Sequence, residues 1–90
     1  MSNQVLIDEI INQVRNELHE AQCRFGPMHS PHEGCAVIRE EFEELWDAVK
    51  AHHSNVPTVE MCNEAVQVAA MAIRFLHDIT PGFFRDLSDK

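Results

Sequence analysis

The residues of this chain whose types and spacing could do chemistry are carboxylates on two neighbouring segments. Residues 40–44 read Glu-Glu-Phe-Glu-Glu, and residues 64–67 read Glu-Ala-Val-Gln. Because residues three or four positions apart share one face of a helix, two packed helices can bring such acids to one point. Oxygen ligands of this kind bind Mg²⁺ in sites that also hold substrate phosphates. The segments therefore predict a divalent-metal site or, if the acids do not converge, two solvated helix faces.

Helix geometry separates the acids of the first segment. Its apolar residues recur on one face and predict a buried stripe of Ile38, Phe42, Leu45 and Val49. Glu40 and Glu43 fall on roughly the opposite side, so we expect them to face water. Glu41 and Glu44 flank the stripe and can point toward a neighbouring helix.

The segment that carries Glu64 is apolar around most of its circumference. One flank holds Val66, Ala69, Ala70, Ile73 and Leu76, and another holds Ala65, Val68, Ala72 and Phe75. The remaining stripe comprises Glu60, Asn63, Glu64, Gln67, Met71, Arg74 and Asp78. A helix of this kind lies at the centre of a bundle or at a subunit interface. Burying its acids is costly unless they pair with a base such as Arg39, Lys50 or Arg74, or bind a metal ion.

Three helices must position these acids. Periodicity predicts them over residues 3–22, from residue 31 to about 52, and from about 57–60 to 78. Ser2 is a candidate cap for the first, and residues 30–33 form a capping box for the second. A short last turn through Phe83 and Phe84 follows residues 80–82, and no segment alternates as a strand. The sequence predicts an all-α bundle of three main helices plus a short C-terminal helix.

Composition limits the function classes. The chain has 90 residues, enough for one domain over residues 1–90, and a net charge of −8. A protein that binds a nucleic acid or an anionic membrane surface needs a basic surface. The negative net charge therefore disfavours both partners, and with them a DNA-binding helix bundle. A phosphorylated ligand stays open if metal ions reverse the local charge. Three cysteines without a CxxC motif, and no signal peptide, favour a reducing cytoplasm.

The two acidic segments, in this order and on helices of this character, resemble the MazG-like all-α nucleoside triphosphate pyrophosphohydrolases. That family carries an EExxE motif and then, after a spacer, an ExxD motif on two antiparallel helices. Residues 40–44 match EExxE, and residues 64–67 stand where ExxD is expected. The similarity covers about residues 31–78 and includes likeness to small phage-encoded members, which implies the cytoplasm of a bacterium or of a phage host.

The resemblance implies a set of metal ligands: Glu41, Glu44, Glu64 and the position of Gln67. Helix geometry directs Glu41 and Glu44 toward a neighbouring helix independently of the family. Gln67 departs from the family, which usually has Asp there; its amide oxygen can bind Mg²⁺ but brings no charge. Asn63 and Glu60, one turn earlier, are candidates to compensate. The implied ion is Mg²⁺, with Mn²⁺ as an alternative.

The resemblance further implies hydrolysis of a nucleoside or deoxynucleoside triphosphate to the monophosphate and pyrophosphate, with dATP and dGTP as candidates. Glu40 would join Glu41 and Glu44 as a catalytic carboxylate that orients the attacking water. The candidate substrate contacts are Lys50, Arg74, Arg24 and, in the loop over residues 22–32, His29 and His32.

A second reading is a non-catalytic helical interaction protein with a degenerate metal site. Under either reading, the second apolar flank of the third helix should meet another subunit. The family resemblance implies a dimer, or a tetramer made of two dimers.

Overall fold

The protein is all-helical in its computed structural model, which describes residues 2–52 and 56–85. These residues contain no strand, as predicted, and the elements are α1 Asn3–Arg24, α2 Pro31–Lys50, α3 Val59–Ile79 and a short 3₁₀ helix Pro81–Phe83. The first helix ends slightly later, and the second slightly earlier, than periodicity predicts. None of the helices in the described ranges is long and apolar enough to cross a bilayer.

Hydroxyl side chains set the helix starts. Each accepts a hydrogen bond from a backbone N–H three residues later: Ser2 from Val5 at 3.2 Å, Ser30 from Glu33 at 3.1 Å and Thr58 from Met61 at 3.2 Å. The capping box predicted for α2 forms only in part. The Glu33 carboxylate accepts from the N–H of His29 at 3.1 Å, one residue before the Ser30 N–H that a capping box would use. This bond fixes the end of the α1–α2 loop onto the first turn of α2.

Helix α3 is the central element. It packs against both α2 and α1, whereas no Cα atom of α1 lies within 8 Å of one of α2 among the described residues. The core is small, and its buried cluster comprises Val14, Ala21, Met28, Ala70 and Met71. The two apolar flanks predicted for α3 therefore both have neighbours within the chain, and α2 covers part of the second flank, which was expected to meet another subunit. The site described below lies along its contact with α2.

Much of the apolar surface predicted to be buried is exposed. One exposed area, here called the α1–α3 face, comprises Ile7, Ile10, Ile11, Ile73, Leu76 and Phe84. A second, the α2 face, comprises Phe42, Trp46 and Val49. In the α2 stripe only Ile38 and Leu45 are half-buried, while Phe42 is 53% exposed. The single chain thus leaves parts of both predicted stripes uncovered.

Candidate metal centre and adjoining cleft

The packing of α2 against α3 brings three carboxylates together. One oxygen each from Glu41, Glu44 and Glu64 lies within 4.8 Å of the other two. Glu41 and Glu44 share a face of α2 because three residues separate them by less than one helical turn. Glu64 reaches them from the polar stripe of α3. These are three of the four residues that the family resemblance implies as metal ligands.

The three carboxylates repel one another. Burial, a hydrogen bond to Glu44 and the charges of Glu44, Glu64 and Glu40 raise the pKa of Glu41 from 4.5 to about 7. Burial raises the pKa of Glu64 as well, and the neighbouring Glu44 and then Glu60 add to the effect. Without a cation, the cluster therefore holds a proton at pH values where an ordinary glutamate is ionised.

Apart from the contacts of Glu41 and Glu64 with Glu44, the cluster has no partner among the described residues. The Glu64 Oε2 atom is buried and has no hydrogen-bond partner. Among the described residues, no lysine or arginine pairs with any of the three acids, since Arg39 pairs with Glu43 and Lys50 with Asp47. Divalent cations bind such oxygen donors, and a bound cation would supply the missing partner of Glu64. The donor set therefore fits a hard metal ion.

A cleft extends from Glu41 toward the α1–α2 loop, whereas Glu44 and Glu64 lie outside its lining. It has a volume of about 530 Å³, and its lining includes Glu40, Glu41 and Gln67 at one end. Glu40 is exposed, as helix geometry predicts, and lies beside Glu41 on the cleft wall. Gln67 also lines the cleft and is half-buried. The amide of Gln67 thus lies near the acids, at the place where the resembled family has a carboxylate.

The other end of the cleft is formed by the loop and the last turns of α3. Arg74 is only 5% exposed, and its Nη2 donates to the Gly26 carbonyl at 2.8 Å. The backbone N–H of Met28 donates to Asp78 Oδ2 at 3.0 Å, and Oδ1 of Asp78 lies 2.7 Å from His77 Nδ1. Burial raises the pKa of Asp78, but the bonds from His77 and Met28 and the charges of His77 and Arg74 outweigh it, so the pKa is lowered overall. Unlike the glutamates, Asp78 is satisfied as an anion.

The remaining predicted substrate contacts fall in different places. Arg24 lines the cleft, with its guanidinium carbon 6.0 Å from the centre of the Phe25 ring. His29 also lines the cleft, whereas His32 is exposed on the first turn of α2 and is not part of the lining. Lys50 lies at the far end of α2, with Nζ 3.3 Å from Asp47 and 5.6 Å from the centre of the Trp46 ring. The cleft therefore includes Arg74, Arg24 and His29 but not Lys50 or His32.

Sequence reasoning missed several residues of this region. Met28 of the loop is buried and lines the cleft, as do Glu17 of α1 and Val37 of α2. No local signal marks Glu17, because α1 reaches the cleft only through its packing on α3. Asp78 was recognisable as part of the polar stripe of α3, but its bond to Met28 joins residues that are 50 positions apart.

Comparisons with known proteins identify no relative of this chain. A scan against protein-family models gave no match, and searches of curated proteins and of solved structures gave no significant match either.

Proposed function

We propose that this protein is a Mg²⁺-dependent nucleotide pyrophosphohydrolase, which converts a nucleoside or deoxynucleoside triphosphate to the monophosphate and pyrophosphate. The observation that carries the proposal is the convergence of Glu41, Glu44 and Glu64 within 4.8 Å, with a buried, unpartnered Glu64 oxygen. The resemblance of residues 40–44 and 64–67 to the EExxE and ExxD motifs supports the same reaction. A cleft of about 530 Å³ beside the acids is within the usual range for small-ligand sites.

The carboxylates divide into metal ligands and a general base in the proposed reaction. Glu41, Glu44 and Glu64 would hold the metal through one oxygen each, and the amide oxygen of Gln67 would complete the set or hold a metal-bound water. Bound Mg²⁺, or Mn²⁺ in its place, would neutralise the triphosphate and lower the pKa of a water molecule. Glu40, exposed on the cleft wall beside Glu41, would orient the attacking water and accept its proton. The bond that breaks is the phosphoanhydride between the α and β phosphates.

The charge distribution supports a requirement for a metal ion. The chain has a net charge of −8, and Glu17, Glu33, Glu40 and Glu41 all line the cleft. A triphosphate would be repelled from this surface unless cations reversed the local sign. Arg24 and Arg74, at the loop end, are the arginines of the lining. Lys50 and His32 could contact a substrate only beyond the cleft.

The cleft also indicates how a nucleotide would lie. The phosphates would be at the carboxylate end, and the nucleoside would extend toward the loop of residues 25–29. The Phe25 side chain is 57% exposed at this end and offers a ring face for stacking. Purine deoxynucleotides, dATP and dGTP, are the candidates that the resemblance to small phage-encoded members favours.

A nucleotide panel tests the proposal directly. The purified protein is incubated with each NTP and dNTP and Mg²⁺, and pyrophosphate and orthophosphate are measured separately. We expect pyrophosphate with at least one nucleotide, and no pyrophosphate when EDTA replaces Mg²⁺. Failure to hydrolyse any nucleotide, or release of orthophosphate alone, would contradict the proposal.

Gln67 favours a second candidate, a helical interaction protein that retains a degenerate metal site. Under that reading the acids bind no ion, and Mg²⁺ does not alter the melting temperature. Under the enzyme reading, Mg²⁺ binds the folded state and must raise the melting temperature by mass action. Thermal unfolding with and without Mg²⁺ therefore separates the two candidates, even if the substrate is missing from the panel.

We also propose that the chain associates with itself. Its exposed side chains include Ile10 on the α1–α3 face and Trp46 on the α2 face, each at 50% exposure. Apolar areas of this kind are typical of protein–protein contact surfaces. The α1–α3 face and the α2 face are two separate apolar areas, which suits a dimer of dimers.

Sedimentation with single charge insertions tests this association. Ile10→Glu should disrupt contacts through the α1–α3 face, and Trp46→Glu should disrupt those through the α2 face. For a dimer of dimers, each variant should sediment as a dimer and the double variant as a monomer. A wild-type chain that sediments as a monomer at micromolar concentration would contradict the proposed association.

A further inference from the structure

Two side chains of α3 hold the backbone of the α1–α2 loop. Arg74 binds the carbonyl of Gly26 at 2.8 Å, and Asp78 accepts the N–H of Met28 at 3.0 Å. Arg74 and Asp78 lie one helical turn apart on the same face of α3. Both can therefore reach the same short stretch of the loop, from Gly26 to Met28. Met28 is buried and packs near Gly34. The loop wall of the cleft is therefore fixed from the α3 side.

Arg74 is a costly residue to bury for this purpose. Its described partners are neutral: Nη2 binds the Gly26 carbonyl, Nη1 lies 3.4 Å from the Met71 sulfur, and the buried Nε has no partner. No carboxylate forms a salt bridge with it among the described residues; the charge of Asp78, one turn along α3, acts on it only from beyond salt-bridge distance and offsets just part of the cost of burial. An apolar side chain of similar length would fill the space at lower cost. The guanidinium is thus better explained by what it positions.

Arg74 lies far along α3 from the carboxylates at which the phosphates of the proposed substrate would bind. At 1.5 Å per residue, Arg74 lies about 15 Å along the helix axis from Glu64 and about 10 Å from Gln67. That distance corresponds to the far end of a nucleoside whose phosphates lie on the carboxylates. Phe25 to His29 form the wall of the cleft at this end.

We infer that Arg74 is a positioning residue for base discrimination: it fixes Gly26 to Met28 so that the loop presents a preformed surface to the nucleotide base. This inference rests on the proposed function and assigns the specificity of that reaction to the loop. Arg74 acts through the Gly26 carbonyl, and the groups that contact the base are those of the loop itself. Asp78 supports the same loop through the N–H of Met28.

The test compares Arg74→Met with Arg39→Met. Arg39 is an exposed arginine on α2 that pairs with Glu43, so its removal changes the net charge equally without touching the loop. Hydrogen bonds to charged groups contribute enough that Arg74→Met should raise KM for the preferred nucleotide about tenfold to a hundredfold. The ratio of kcat/KM between preferred and disfavoured bases should fall toward one, with kcat for the preferred nucleotide changed less than KM. Hydrogen exchange at the Met28 amide should become faster, and Arg39→Met should match the wild type in all these measurements.

Arg74→Lys provides a second variant if Arg74→Met folds poorly. An ammonium can still donate to the Gly26 carbonyl, so we expect it to restore part of the base discrimination. A merely structural Arg74 would lower activity toward all nucleotides alike, and a phosphate-binding Arg74 would raise every KM by the same factor. Either result, with the base ratio unchanged in both variants, would overturn the inference while leaving the proposed function standing. A wild-type protein that hydrolyses all nucleotides equally well would also overturn the inference, but the proposed function would stand. A wild-type protein that hydrolyses no nucleotide would overturn both.

Discussion

The two ends of the cleft contain similar polar residues in opposite states. At the loop end, Asp78 accepts bonds from Met28 and His77, and its pKa is lowered. At the carboxylate end, burial and then the neighbouring acids raise the pKa of Glu41 and of Glu64. Polar groups that the chain satisfies itself serve to hold the fold, whereas groups that repel one another in the folded state gain only when a ligand binds. The comparison therefore separates the part of the cleft that is structural from the part that we propose binds a cation.

The largest effect should come from removing one carboxylate of the cluster. Loss of a group that only supports a metal ligand typically lowers metal affinity or activity by about 10–100-fold. Glu44→Gln removes the charge of a proposed ligand itself, so kcat/KM should fall by at least about 100-fold. It should also abolish the rise in melting temperature caused by Mg²⁺. Steady-state pyrophosphate release and thermal unfolding measure the two effects.

Glu43→Gln is the matched control for this experiment. Glu43 is the neighbouring residue, is exposed, and pairs with Arg39 at 3.1 Å on the outer side of α2. It should keep both the activity and the response to Mg²⁺. Equal losses in Glu43→Gln and Glu44→Gln would show that the effect comes from the net charge of the helix and not from the cluster.

The loop end can be disrupted by adding a single methyl group. A Cβ at Gly34 would lie 2.6 Å from Phe75 Cδ2 and 3.1 Å from Met28 Sδ. Overpacking of this kind costs about 1–3 kcal/mol, and the better helix propensity of alanine offsets up to about 1 kcal/mol. Gly34→Ala should therefore lower the free energy of unfolding in urea by roughly 1–2 kcal/mol.

Gly82→Ala is the control, because no atom lies within 4 Å of an added Cβ there. Its free energy of unfolding should change by about 0.5 kcal/mol or less. The rise in melting temperature on adding Mg²⁺ should be the same in Gly34→Ala as in the wild type, since the carboxylates are untouched. A Gly34→Ala protein as stable as the wild type would show that Phe75 and Met28 have room to move.

The two ends also differ in how far they could be predicted from the sequence. The helices, the Ser2 and Ser30 caps and the direction of Glu41 and Glu44 follow from local rules, because capping and helical period act over a few residues. The loop end depends on the bond from Met28 to Asp78, which no local pattern encodes. The apolar stripe of α2 was predicted as core, yet Phe42 is exposed, because a stripe records which face avoids water and not which molecule covers it.

Gln67→Asp sharpens the comparison from the carboxylate end. It supplies the charge found at this position in the resembled family, so Mg²⁺ affinity should rise on the order of tenfold, because the charge of the ligands tunes divalent-ion affinity. Without Mg²⁺, the added acid should lower the melting temperature by repulsion. Asn12→Asp adds the same charge beside Arg15, outside the cleft lining, and should leave Mg²⁺ affinity unchanged. Calorimetric titration that finds no gain for Gln67→Asp would place residue 67 outside the coordination sphere.

The two ends should also differ in how their contributions to stability depend on pH. Because the pKa of Glu41 is raised from 4.5 to about 7, the folded protein binds more protons than the unfolded chain between these values. The metal-free protein should therefore lose stability as pH rises from about 4.5 to about 7. Asp78 has a lowered pKa, so its contribution is present above its usual value of 3.8 and is lost only as pH falls through the folded value. It adds no slope between pH 5 and pH 8.

Melting temperatures at pH 5 and pH 8, in EDTA and in Mg²⁺, check this difference. In EDTA, the fall in melting temperature from pH 5 to pH 8 should be larger for the wild type than for Glu41→Gln. Only the wild type has the Glu41 carboxyl to titrate, and this carboxyl accounts for the excess. A bound cation favours the ionised carboxylates, so Mg²⁺ should reduce the excess and stabilise the protein most at pH 8. If the wild type and Glu41→Gln show the same dependence on pH in EDTA, the pKa of Glu41 is not raised in the folded chain, and the contrast between the two ends of the cleft does not hold.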